Sequence, residues 1–276
     1  MPFADLREFI AAADRLGELR TVTNADWDLE IGAITEINYQ RQGPALLLDE
    51  IKGYPRGYRI LANAMDSLRR SLLALDLPLD ASIDEALDLY QERIDAFRPT
   101  PPREVPHGPI HENVLSGDDI DLWKLPTPKW HEEDGGRYLG TGDMVIMRDP
   151  DTGRVHFGTY RVMVQDEKTA GLYISPIHTG AIIEKKYWAR GQSCPVVVVF
   201  GEEPVLFCAG AGYLGQKRGL PKYELAGHVR GAPVEIVCEE ITGLPIPAAA
   251  EIAIAGEVPP PSVEARPEGP FGEWTG

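Results

Sequence analysis

The chain has 276 residues, 43% hydrophobic and 25% charged, which excludes wholesale disorder and allows one large domain or two ordinary ones. Its formal net charge of −16 repels phosphate backbones and anionic lipid, so no nucleic-acid or membrane partner is expected. An anionic substrate must then be met by a few Arg, Lys and His side chains gathered locally.

In chain order, Phe3, Leu6, Phe9, Ile10 and Leu16 fall on one stripe and predict an amphipathic helix over 4–16, ended by Gly17. Further helices are predicted over 29–40, 67–75 and 82–97. Short buried strands are predicted over 45–48 and 59–62, giving a mixed α/β unit over residues 1–105. Residues 98–106 hold four prolines and read as an extended connector, so a domain boundary is placed there.

After the connector the pattern is mostly β. Strands over 144–147 and 156–164 flank the turn Asp149-Pro-Asp-Thr-Gly153. Others are expected over 171–174, 195–200, 205–209, 234–238 and 251–254, with helices near 179–190 and 222–229. Such punctuation predicts an antiparallel sheet closing toward a barrel over 106–276. The fold class is α+β, and no internal repeat is seen. The last residues form a Gly-containing loop with no closing element, which reads as a chain lacking a C-terminal portion.

Cys194, Cys208 and Cys238 are odd in number and widely spaced, leaving neither a metal knuckle nor a disulfide framework. Cys208 and Cys238 lie in apolar runs and read as buried thiols on strands, suited to a reducing cytoplasm. The N-terminus lacks a signal-peptide layout and no run approaches ~20 apolar residues, so a soluble cytoplasmic protein is expected.

Four motifs carry chemistry. Glu268 and Glu273 bracket Gly269, Pro270 and Gly272, a turn able to bring two carboxylates to one cavity as acid and base, although the spacing by itself favours two solvated loop glutamates. Arg161, inside an apolar run, needs an anionic partner unless it faces water from an edge strand. His178, between a strand and a helix, reads as a metal or phosphate ligand or as a structural loop histidine. Gly210-Ala-Gly-Tyr-Leu-Gly215 spells GxGxxG after an expected strand, with Glu235 and Glu239 beyond it. Gly219 and Pro221 deny it the helix that a dinucleotide site requires. His107, His111 and His131 show no metal-like spacing and read as surface residues.

Taken in order, the motifs resemble the UbiD family of prenylated-FMN-dependent decarboxylases. The resemblance runs through Leu125-Pro-Thr-Pro128, Asp134-Gly-Gly136, Gly158-Thr-Tyr-Arg161, Tyr223-Glu-Leu-Ala-Gly227, Arg230-Gly231 and Leu244-Pro-Ile-Pro-Ala248, and is most specific over Glu268–Gly276. It implies a split β-barrel flavin domain over 106–276 and a catalytic network of Arg161, Glu268 and Glu273, with Glu273 the proton donor. It also implies cofactor contacts from His156, Thr159, Tyr160, Arg161, His178 and Lys222.

The family's flavin phosphate is held through manganese and potassium, with Asn, His and Glu as ligands. Here the His is His178, but His156 stands at the Asn position and Lys222 at the Glu position. Either Lys222 supplies the missing charge, or Glu224 joins His178 on a metal. A carboxylic acid substrate, a flavin prenyltransferase as cofactor supplier and a homodimer or larger homo-oligomer are further implications. So is weak or absent activity of the 276-residue chain by itself. The alternative is a flavin-binding module or flavin reductase-type protein.

Overall fold

The computed structural model describes residues 3–212 and 220–272. It begins with α1 (Leu6–Arg15), capped by Asp5, whose side chain accepts from the Glu8 amide. Strand β1 (Leu19–Thr23), absent from the sequence expectations, follows, then α2 (Glu30–Gln40), β2 (Ala45–Asp49), β3 (Ile60–Ala62), α3 (Leu68–Ala74) and α4 (Ile83–Asp95). The start of α4 is fixed by a capping box in which Ser82 and Glu85 exchange side-chain and backbone hydrogen bonds. Strand β2 pairs parallel with β1 and antiparallel with β3, burying Ala45 through Leu48.

Past the proline-rich stretch come β4 (Arg103–Glu104), β5 (Tyr138–Gly140), β6 (Asp143–Arg148), β7 (Val155–Gly158), β8 (Arg161–Val164) and β9 (Ala170–Tyr173). Helix α5 (Thr179–Trp188), β10 (Cys194–Phe200), α6 (Pro204–Ala211), α7 (Lys222–Arg230), β11 (Glu235–Cys238), β12 (Pro245–Pro247) and β13 (Ile252–Val258) complete the order. The antiparallel sheet β13-β10-β6-β7 and the smaller antiparallel sheet β5-β8-β9 make the split barrel, while β12-β11-β4 ties the connector to the main body.

Both faces of the large sheet are buried, which is why β10 reads as an unbroken valine run. Its side chains alternate: Val197 and Val199 meet Met144, Ile146 and Phe157 under α6 and α7, whereas Val196 and Val198 meet Val145, Met147 and Ile183. Ile94 of α4 joins the first of these clusters, so packing crosses the connector. Phe157 is fully buried there, and its truncation to alanine would cost about 3–5 kcal/mol.

Three expectations are corrected. Residues 205–209 form part of α6 rather than a strand: the segment is apolar on every side, so period could not distinguish the two, and Pro204 sits at a helix start. Cys208 is therefore a buried helical thiol; Cys238 does lie on a strand but is exposed. The stretch 156–164 is two strands in different sheets, broken at Thr159 and Tyr160. The glycine fingerprint loses its preceding strand with α6, and Gly212 is that helix's left-handed cap; Tyr213 to Gly219 lie outside the described residues. Among the described residues no helix is long and apolar enough to cross a membrane.

Candidate active site

The break between β7 and β8 organises the site. The Tyr160 amide, left without a strand partner at the crossing, donates to Asp143 Oδ1 at 3.1 Å. Asp143 is fully buried at the start of β6, and burial pushes its carboxyl up to about 8. Before the crossing Phe157 packs against Tyr223 of α7, and after it Arg161 is delivered to the other sheet.

Arg161 is not an edge arginine facing water. Strand β8 is flanked by β5 and β9, and Arg161 Nη2 donates to Glu268 Oε2 at 2.9 Å. The Glu268 side chain is only 8% exposed, which rules out a solvated loop glutamate. The guanidinium also lies over the Tyr173 and Phe271 rings, 4.8 and 5.2 Å from their centroids. A charge-assisted, partly shielded pair of this kind holds both partners in one geometry.

The loop that carries Glu268 is tied down at both ends. Upstream, Arg266 pairs with Asp166, and Gln165 donates to the Pro267 carbonyl at 2.8 Å. Downstream, the Gly135 amide donates to the Pro270 carbonyl at 2.7 Å, and the Gly272 amide donates to Asp134 Oδ1 at 2.8 Å. Asp134 Oδ2 accepts from the His131 and Trp130 amides, so one buried carboxylate joins two segments. The approach is backbone on backbone: a Cβ at Gly135 would stand 2.1 Å from the Gly269 oxygen. Tyr138, fully buried, packs its ring 4.6 Å from Phe271 and donates to the Pro270 carbonyl. Burial, and then the neighbouring Glu268 charge, push its phenol well above the usual value. Gly272 is the last described residue, so Glu273 lies outside the described residues.

On the other side of the break, Lys222 begins α7. Its ammonium donates to the Gly210 carbonyl at 3.1 Å and to the Phe157 carbonyl. Burial, then Arg154, lower it to about 8. His156 Nε2 lies 3.1 Å from the Tyr160 hydroxyl. Burial, followed by the charges of Lys222, Arg154 and His178, holds that imidazole neutral, down to about 3. His178 is exposed at the start of α5, its ring 6.0 Å from that of Tyr160. The Thr159 hydroxyl oxygen is buried, with no hydrogen-bond partner among the described residues. Glu224 is half-buried in the first turn of α7. Among the described residues no three His, Cys, Asp or Glu side chains are grouped to hold a metal ion.

Of the residues singled out from sequence, Arg161 and Glu268 meet directly, and His156, Thr159, Tyr160, His178 and Lys222 gather across the break. Asp134, Tyr138, Phe271 and Tyr173 were missed as site residues. Histidine 131, read as a surface residue, is instead half-buried against Phe271 and close to Asp134. The only signal for this group was the Asp-Gly-Gly run at 134–136, whose glycines mark close backbone approach.

Residues 103–276 match the family model for the 3-octaprenyl-4-hydroxybenzoate carboxy-lyase Rift-related domain, and residues 10–90 match that for its N-terminal domain. The chain is 34% identical to a phenolic acid decarboxylase of Bacillus subtilis, over all of this chain and 58% of that protein. A vanillic acid decarboxylase of Sedimentibacter hydroxybenzoicus in closed form superposes with a TM-score of 0.89 at 29% identity, covering 99% of this chain and 58% of the other. An evolved dimeric UbiD-class enzyme of Pelotomaculum thermopropionicum, in complex with prFMN, gives 0.84 at 27% identity, covering 98% and 60%. The chain thus spans somewhat more than half the length of these relatives, and by its two family domains and its fold it belongs to the UbiD family.

Proposed function

We propose that this chain forms the cofactor-binding part of a non-oxidative decarboxylase for an aromatic, heteroaromatic or α,β-unsaturated carboxylic acid. The observation that carries the reading is the buried Arg161–Glu268 pair, held on a loop whose next residue after the Asp134 anchor is Glu273. Its relatives named above include decarboxylases of phenolic and vanillic acid.

The residues suit prenylated FMN. Among the described residues, the buried Thr159 hydroxyl has no partner and the Lys222 ammonium no carboxylate, and a phosphorylated ligand would satisfy both. When bound, such a flavin supplies the electron sink for the pair left behind by CO2. The protein's own tasks are then two. Arg161, charged at any working pH, fixes Glu268 and keeps cationic character at the place where a substrate carboxylate arrives. Glu273 delivers the proton to the carbon that loses CO2, and takes it back in the reverse direction. The Phe271 ring and the buried Tyr138 behind it limit water on one side of this exchange.

The test is CO2 release from a panel of aromatic and acrylic acids by the protein co-expressed with a flavin prenyltransferase, beside Glu273→Gln. Release that vanishes in the variant, with cofactor still bound, is the expected result. Equal release from the variant would remove Glu273 from the proposal, and no release from any acid by loaded protein would reduce the reading to flavin binding.

A further inference from the structure

The phosphate end of the cofactor pocket does not fit a divalent metal. A hard cation needs several oxygen lone pairs, and a carboxylate among them. The groups gathered around His156 are instead Lys222, Arg154 and His178, every one cationic or able to become so. Among the described residues none of the carboxylates pairs with Lys222, and the Arg154 guanidinium is satisfied by the Leu220 carbonyl at 2.5 Å, not by an acid. The His156 ring nitrogen Nε2 is engaged with Tyr160. A divalent ion placed here would face a fixed ammonium in a poorly screened setting, where like charges repel strongly.

In a chain of net charge −16 this is a local reversal of sign. Lys222 has an evident structural task, since its bond to the Gly210 carbonyl caps the last turn of α6. That task uses one of three N–H bonds and the Phe157 carbonyl takes a second. Among the described residues the third has no partner and is open to a ligand, beside a Thr159 hydroxyl that no described group satisfies. Thr159 Oγ1 stands against Gly210, 3.4 Å from where a Cβ would be, so hydroxyl and ammonium share one corner. His178, at the start of the ten-residue helix α5, faces the same Tyr160 ring that contacts His156.

We infer that Lys222 takes the place of the metal, and that Lys222, Thr159 and His178 bind the phosphate of the flavin directly, with no divalent cation. The inference rests on the proposed flavin site and narrows it to a phosphomonoester held by an internal cation. Arg154 adds to the positive sign of the corner and His156 stays neutral there, neither touching the ligand.

The experiment titrates FMN and, separately, riboflavin into the metal-stripped protein, followed by flavin fluorescence, with and without manganese. Metal content of the FMN-loaded protein is measured in parallel. FMN is expected to bind at least tenfold more tightly than riboflavin in the presence of EDTA, to gain nothing from manganese, and to carry no stoichiometric metal. Lys222→Met is expected to lower FMN affinity to the riboflavin level while leaving riboflavin affinity in place, which loss of the α6 cap alone would not do. Lys222→Arg, which keeps the charge, recovers part of the preference and serves if Lys222→Met fails to fold. FMN bound only with stoichiometric manganese overturns the inference but leaves the flavin reading standing. If neither flavin binds, that reading fails instead. Inorganic phosphate, followed by 31P line broadening in parent and Lys222→Met, then decides: broadening lost in the variant supports the anion site, and no broadening in the parent overturns it.

Discussion

Two cationic centres stand on either side of the break between β7 and β8, Arg161 on β8 and Lys222 at the start of α7, and the protein treats them in opposite ways. At Arg161 the charge is met by Glu268 and covered by Tyr173 and Phe271. At Lys222 the charge is met by backbone carbonyls and by other cations. The first centre has its charge paired before any ligand arrives, which suits a site that must hold a geometry during chemistry. The second is incomplete, and a buried group of uncompensated charge costs stability until an anion arrives. On the proposed function, this difference separates a centre for chemistry from a centre for binding.

The sharpest way to break this division is Arg161→Ala. Decarboxylation by the loaded protein should fall by roughly 10²–10³-fold, while FMN affinity changes little. A comparable loss of FMN affinity would merge the two centres. A smaller effect comes from the loop anchor. Asp134→Ala frees the Gly272 amide, and the turnover number should drop about tenfold to a hundredfold from misplacement alone. Equal losses at a substrate-saturating and a limiting concentration are expected; a change confined to KM would show that Asp134 acts on substrate binding instead.

The smallest effect concerns the hinge between the centres. Asp143 has a carboxyl raised to about 8 in the folded protein against 3.8 when unfolded. The folded state therefore holds that proton more tightly, so its stabilising contribution is complete below about pH 4 and is lost as pH rises toward 8. Glu203 and Glu184, both raised to about 7 by burial, act in the same direction. The thermal midpoint should fall between pH 6 and pH 8.5. Asp143→Asn should flatten part of that slope and raise the midpoint at pH 8 by a few degrees, about 2–4 °C per kcal/mol recovered. A slope identical in the variant would mean that the Asp143 carboxyl is ionised in the folded state.

Sequence alone revealed what is local. The α1 stripe and the helix over 82–97 are readable because their pattern repeats within a few residues, although the caps at Asp5 and Ser82 that set their starts were not read. Arg161 stood out because an arginine in an apolar run has few explanations. What stayed hidden depends on distance along the chain or on absence of pattern. The Asp134–Gly272 and Tyr138–Phe271 contacts span more than 130 residues and leave no periodic trace. Helix α6 is apolar all round, so neither the period of a helix nor that of a strand emerges. The break at Thr159 and Tyr160 was masked by apolar residues on both sides, although it is the feature that parts the two centres.

The close approach at Gly135 has a consequence for how this protein varies. Any replacement there adds a Cβ against the Gly269 carbonyl, a backbone group that no side-chain rearrangement can move aside. A substitution at Gly135 is thus a lesion in the seating of the Glu268 loop. A saturation screen scored by growth or turnover will rank Gly135 with the reacting residues, though it carries no side chain and no proton. Such a map reports where the loop is seated as much as where the reaction happens, and only a flavin-binding count taken alongside it will tell the two apart.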